Sequence, residues 1–317
     1  MSASNKRKRR ESSPPPAASP PPTRSDQFWL PHGDVVLQVT NTQFRVNRDV
    51  LARQSIVFRD MFSLPQTTDG SPLDAVVEGC PVVEMSGDSL QDWEAMLEVF
   101  YDPFVLSSEI PWKTAAAMLR LGKKYQMDAV FGDAAARFHN NYPRTFMHWK
   151  NPKNPRVRRL MRNISAAVPV FLLLREIGIT SCIPSAAFVL LRDYSLSDIF
   201  AALDKAVADP AVREGPKSML ALAAEHMCKY QKQTFAWLED SSVIPSPGCI
   251  RAFLCTEVRA SKLSATQWAG NDLCEYGFCG SCDAAGRKKF DGDRWIAWEK
   301  LPGFFGLPEW AELKDMP

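Results

Sequence analysis

Between Asp34 and Phe62 the apolar residues change their spacing, and that change limits what the chain can fold into. Val35, Leu37 and Val39 alternate with Val36, Gln38 and Thr40. This period of two predicts a strand from Asp34 to Thr40, with a turn at Asn41-Thr42 and a paired strand from Gln43 to Val46. The run FRVNRDVLARQSIVFRDMF at Phe44 to Phe62 then carries its large apolar residues at helical spacing. Asn47 is placed to cap a short helix through Ala52, and Ser55 to cap a second through Phe62. Val50, Leu51, Phe58, Met61 and Phe62 fall on one side of these helices. A hairpin followed at once by helices with one apolar face calls for a sheet covered by helices, an α+β arrangement.

The following pattern extends that arrangement. Pro65 to Gly79 reads as a polar loop broken by Gly70, Pro72 and Gly79. Pro81 to Met85 (PVVEM) reads as a strand. Ser86 or Asp88 is expected to cap a helix through Tyr101, whose Trp93, Met96, Leu97 and Phe100 share one face. Further helices are expected over Ile110 to Gln126 and Asp128 to Phe138.

Three separated blocks carry a family resemblance: HGDVVLQVTNTQFRVNRDVLARQSIVFRDMF, WEAMLEVFYD and AAMLRLGKKYQMDAVFGDAAARF. Together they resemble a BTB/POZ domain over about 26–140, most like the fungal, basidiomycete-type proteins that follow it with a helical C-terminal region. The resemblance implies protein association through BTB homo- or heterodimers, and recruitment of repressors or cullin-type ubiquitin ligases. It also implies a charged pocket near the dimer interface, whose aspartate and arginine positions match Asp34 and Arg48. Asn47 stands where many members carry histidine. A structural ion pair between Asp34 and Arg48 is the alternative to a binding pocket. Cullin-binding members carry a hydrophobic-x-Glu feature where this chain has Phe62-Ser63-Leu64-Pro65, without the glutamate.

Ahead of this region, residues 1–25 read as a disordered tail, with KRKRR at 6–10 followed by SSPPPAASPPP. Lys6, Arg7, Lys8, Arg9 and Arg10 suit a nuclear import signal, so a nuclear location, with some protein in the cytoplasm, is expected. A solubilising tail that binds polyanions is the alternative. The net charge is +2, yet residues 1–25 hold six bases against Glu11 alone. The rest of the chain is therefore mildly acidic, which argues against a general nucleic-acid face. No apolar run is long enough to span a bilayer; the longest, Ile164 to Leu174, reads as a buried helix. The start of the chain lacks a secretory signal, so the eight cysteines are expected to be reduced.

Residues 141–317 are expected to form a mainly helical domain, with helices over Val168 to Ile177, Ala186 to Arg192, Ser197 to Val207 and Pro216 to Glu239. Lys150, Lys153, Arg156, Arg158, Arg159 and Arg162 form a basic cluster without interleaved aromatics, more typical of a solvated linker than of a nucleic-acid contact. The Cys-rich segment 249–282 is where chemistry could sit. Cys279-Gly-Ser-Cys282 has knuckle spacing, and Gly280 would permit the turn. Cys249 and Cys255 are the expected partners in a four-thiolate structural zinc site, with Cys274 as a substitute for one of them. Buried cysteines acting as small apolar residues are the alternative; a redox pair lacks the expected βαβ context. In the closing segment 295–313, Trp295, Trp298, Phe304, Phe305, Leu307 and Trp310 should dock on the helices, because an exposed aromatic terminus is costly.

The expected function is therefore non-enzymatic: a BTB-mediated dimer and adaptor, a nuclear regulator. The alternatives are a zinc-stabilised nucleic-acid-binding regulator and a cullin ligase substrate adaptor. His32, His139, His148 and His226 fall in no catalytic motif, and no phosphate loop is present.

Overall fold

The computed structural model describes residues 21–64, 75–102, 104–107, 109–150, 163–263 and 277–315. The import run Lys6 to Arg10, most of the basic cluster after Lys150, and Cys274 lie outside the described residues.

The first half is a five-stranded sheet in the order β1-β3-β2-β5-β4, built from β1 (Thr23–Trp29), β2 (Val35–Val39), β3 (Thr42–Val46), β4 (Val76–Val77) and β5 (Cys80–Glu84). β2 and β3 form the expected hairpin, with Val35 opposite Val46 and Val39 opposite Thr42. Its turn falls one residue earlier than expected: Thr40 takes the left-handed conformation, with φ 53°. β5 joins β2 in parallel.

Two strands correct the sequence reading. β1 starts at Thr23, so the last residues assigned to the tail belong to the sheet, where they pair with β3 in parallel. Arg24 is held there by Glu78 at 2.7 Å and lies over the Trp29 ring at 4.5 Å. β4 lies inside the stretch read as loop. It pairs with β5 through Glu78 and Gly79, both at positive φ (50° and 78°), the backbone of a type I′ hairpin.

Helices α1 (Arg48–Gln54), α2 (Ile56–Ser63), α3 (Leu90–Tyr101), α4 (Trp112–Lys124) and α5 (Asp128–Asn141) complete this half. Ser55 caps α2 as expected, its Oγ accepting from the Phe58 N–H at 3.0 Å. The cap of α3 is Ser89, accepting from the Asp92 N–H at 3.3 Å, and not Ser86 or Asp88. The Asp88 side chain is buried instead. It accepts from Trp93 Nε1 at 2.9 Å and the Tyr125 hydroxyl at 2.5 Å, and pairs with Lys124 at 2.5 Å. Those three groups fix the angle between α3 and α4.

The second half is mainly helical: α6 (Phe146–Lys150), α7 (Ile164–Ile177), α8 (Ile183–Asp193), α9 (Leu196–Ala206), α10 (Pro210–Thr234), α11 (Ala252–Leu263), α12 (Gly280–Glu299) and α13 (Leu301–Phe304). α10 starts before the expected Pro216, which lies inside the helix, and it ends at Thr234. Trp237 sits beyond it in a 3-10 turn, Ala236–Leu238. Among the described residues, no helix is long and apolar enough to cross a membrane.

One hydrophobic core runs from Phe28 in the sheet to Leu313 near the end of the chain. Between the halves, α7 packs on α4 and α5 meets the 3-10 turn Thr180–Cys182. Lys123 donates to the Ile177 carbonyl at 2.8 Å, a cation at the C-terminal end of α7 where the helix dipole favours it. A second, smaller cluster comprises Phe235, Trp237, Leu238, Ile244, Phe290 and three cysteines.

Candidate functional site

Asp34 and Arg48 meet where β2 begins and α1 starts. The Asp34 carboxylate accepts from the Arg48 backbone N–H at 2.7 Å, and the guanidinium lies 3.8 Å from the carboxylate. The arginine also donates to the Asp34 carbonyl at 3.3 Å and lies over the Phe62 ring at 5.4 Å. Asp34 thus caps α1, the role sequence assigned to the Asn47 side chain. Asn47 caps no N–H; its amide donates to the His32 carbonyl at 3.1 Å, and its backbone N–H donates to the Tyr101 hydroxyl at 3.0 Å. The Asp34 and Arg48 side chains are both partly open to solvent. Nearby on α2, Ile56 is exposed while Met61 and Phe62 are half-buried; Leu64, just past its end, is 68% exposed.

In the second half, Cys249, Cys255, Cys279 and Cys282 converge, all four Sγ atoms lying within 4.8 Å of one another. These four thiols could hold a metal ion. Cys249 lies in a turn after Ser246, Cys255 in the first turns of α11, Cys279 at the N-cap of α12 and Cys282 in its first turn. Gly248 allows the approach, because a Cβ there would stand 2.8 Å from the Ser281 hydroxyl. Gly280 has ordinary helical backbone and a Cβ there would meet nothing, so the turn does not depend on it. Three of the thiols are buried and Cys249 is partly exposed. Backbone donors point at the sulfurs: Cys279 N–H to Cys255 Sγ at 3.4 Å, and Ser246 N–H to Cys282 Sγ at 3.3 Å. The Cys282 backbone N–H holds the Cys279 thiol down to about 6. Loss of hydration pushes Cys249 up to about 12 and raises Cys255.

The aromatic closing segment docks as expected, with one exception. Trp298, Phe304, Phe305 and Trp310 are buried and Leu307 packs against the core, while Trp295 is 52% exposed because it falls on the outer face of α12. Trp298 donates to the Arg144 carbonyl and Trp310 to the Trp298 carbonyl, both at 2.8 Å. Sequence reasoning missed the last anchor. Asp315 accepts from the Ser181 N–H and hydroxyl, each at 2.8 Å, and lies 2.7 Å from His139 Nε2. Ser, His and Asp meet here without forming a catalytic relay. The same ring nitrogen faces both partners, 3.1 Å from the Ser181 hydroxyl, and Ser181 is fully buried.

Comparison with known families agrees with the sheet and helices of the first half. No curated protein matches the chain. Residues 26–141 match the BTB/POZ domain model. The match ends where α5 ends at Asn141, and it spans the Asp34–Arg48 pair and the exposed end of α2. The chain thus carries a BTB/POZ domain, a module for protein–protein association and dimerisation, at residues 26–141.

Proposed function

We propose that this chain is a non-enzymatic adaptor that self-associates through its BTB/POZ domain, works as a regulator in the nucleus, and holds its C-terminal helices with zinc at the cysteine cluster. The observation that carries the reading is the domain itself, with a surface at α2 suited to a second copy. Leu64 is exposed just past α2, near Phe62, over whose ring the Arg48 of the Asp34–Arg48 pair lies, and Ile56 is exposed at the start of the same helix. Apolar side chains grouped with a charged pair at a rim are what an association surface requires. The adaptor half is supported by a second exposed apolar group, Ile250, Phe253 and Leu254, at the start of α11. The nuclear half rests on the five consecutive bases from Lys6 to Arg10.

The cullin reading is weaker on this chain, since Phe62-Ser63-Leu64-Pro65 lacks an acidic residue. The nucleic-acid reading is weaker too, because the chain beyond residue 25 is net acidic. Two measurements test the proposal. The full chain used as bait should capture a second, differently tagged copy of itself; failure to do so at tens of micromolar would defeat the association reading. A fluorescent fusion with all five bases replaced by alanine should move toward the cytoplasm, and an unchanged distribution would defeat the nuclear reading.

A further inference from the structure

Of the described side chains of α11, only Cys255 is buried; Val258 and Arg259 are half-buried and the others face solvent. A helix normally stays on a protein by burying an apolar stripe, since twelve residues are too few to be stable alone in water. Among its described side chains α11 shows no such stripe. Besides Cys255, Arg259 ties it to the body, donating to the Ile244 carbonyl at 2.7 Å. The small cluster beneath it must also hold the turn at Ser246–Cys249 and the start of α12, with eight buried members among the described residues, three of them the cysteines themselves. A cluster that small holds three elements more firmly when a covalent or metal staple joins them. The cysteines are free thiols, so no disulfide supplies it.

From these observations we infer that Cys249, Cys255, Cys279 and Cys282 form a closed tetrathiolate zinc centre that anchors α11 to the N-terminus of α12. The inference rests on the zinc assignment made above and adds which elements the metal joins. In a tetrahedral site with Zn–S bonds of about 2.3 Å, sulfurs stand about 3.8 Å apart. Cys249 Sγ and Cys279 Sγ are 3.7 Å apart. Thiols that merely fill space have no need of N–H donors, whereas metal-bound thiolates carry charge that such donors offset. Cys255 and Cys282 each receive one. The N-terminus of α12, with Cys279 at its cap, adds the favourable end of a helix dipole. Four sulfur ligands select zinc or iron. Zinc fits the anchoring role, as a redox-inert ion with no geometric demand of its own. Four protein ligands leave no position for water or substrate, so the centre is structural.

The test uses the full chain purified without added chelator. Elemental analysis should return about one zinc per chain, and replacement by cobalt(II) should give the thiolate charge-transfer and tetrahedral ligand-field absorption of a four-sulfur site. Hydrogen exchange is then compared before and after chelation. Peptides from Ala252 to Leu263 and from the first turns of α12 should lose protection, while β2, β3 and the self-association of the BTB/POZ domain are unaffected. Cys255→Ser should reproduce that local loss, and Cys228→Ser, at an exposed cysteine outside the cluster, should not. A chain without metal, or with stoichiometric iron, overturns the zinc assignment. Stoichiometric zinc with unchanged exchange in α11 after chelation overturns the anchoring and leaves the assignment intact.

Discussion

Asp315 Oδ2 lies 2.7 Å from His139 Nε2, joining the end of the chain to the last helix of the BTB/POZ domain. The same carboxylate caps the Ser181 N–H, so one residue closes α5, the 3-10 turn after α7 and the terminal segment on one another. Burial alone would raise the Asp315 pKa. The hydrogen bonds from His139 and Ser181 outweigh it and hold the carboxyl below its ordinary value.

That shift predicts a pH dependence. A carboxylate with a depressed folded pKa stabilises the protein above its unfolded pKa, and the contribution is lost as pH falls through the folded value. Asp315 should therefore hold the terminal segment at neutral pH and release it on acidification below the usual carboxylate range. Hydrogen exchange of the last residues, followed from pH 7 downward in wild type and Asp315→Asn, would show it. The variant should lose the acid-dependent step; an identical profile in both proteins would count against the latch.

Asp88 should be among the most sensitive positions in the BTB/POZ domain. Its side chain is buried and serves Trp93, Tyr125 and Lys124 at once. Asp88→Ala leaves those donors without their partner, at a cost of about 3 kcal/mol. Urea denaturation would measure it, and a loss below about 1 kcal/mol would show that the surroundings re-form the network.

The closing aromatics should divide sharply. Trp298→Ala and Trp310→Ala empty buried positions and should cost about 3–5 kcal/mol each. Trp295→Ala, on the exposed face of the same helix as Trp298, should stay within about 0.5 kcal/mol. Thermal melts of the three variants would separate them; equal losses would mean that Trp295 has a contact of its own.

Much of the fold was legible because its signals are local. The alternation at Val35–Val39 and the helical spacing from Val50 to Phe62 each lie in one short window, as does the Ser55 cap. β1 and β4 were not legible. β1 pairs in parallel with β3 across a long separation, and β4 is two residues long. Neither carries a periodicity, and both depend on strands already in place. The cysteine set was readable from spacing, since Cys279 and Cys282 are fixed near each other by three steps of chain. That Cys249 and Cys255 complete it depends on Gly248 lying against Ser281, a contact with no sequence signature. Asp315 and His139 had none either: each looks like an ordinary surface residue until the terminal segment docks.

Asp34 should act through α1. Asp34→Ala removes the acceptor of the Arg48 N–H and should cost about 1 kcal/mol in stability. Arg48→Ala keeps that cap and loses partly exposed contacts, the ion pair, a bond to the Asp34 carbonyl and the Phe62 ring contact, so it should cost less. Equal losses in chemical denaturation would mean that the guanidinium, and not the cap, is the structural partner.

The most direct measurement is sedimentation velocity of the full chain across a concentration series, beside Leu64→Glu and Ile56→Glu. Both positions are exposed, so neither charge should disturb the fold. Wild type should sediment as a dimer at tens of micromolar, and both variants should shift toward monomer with unchanged thermal midpoints. A wild-type chain that remains monomeric throughout the series would contradict self-association, and a dimer indifferent to both charges would place its interface away from α2.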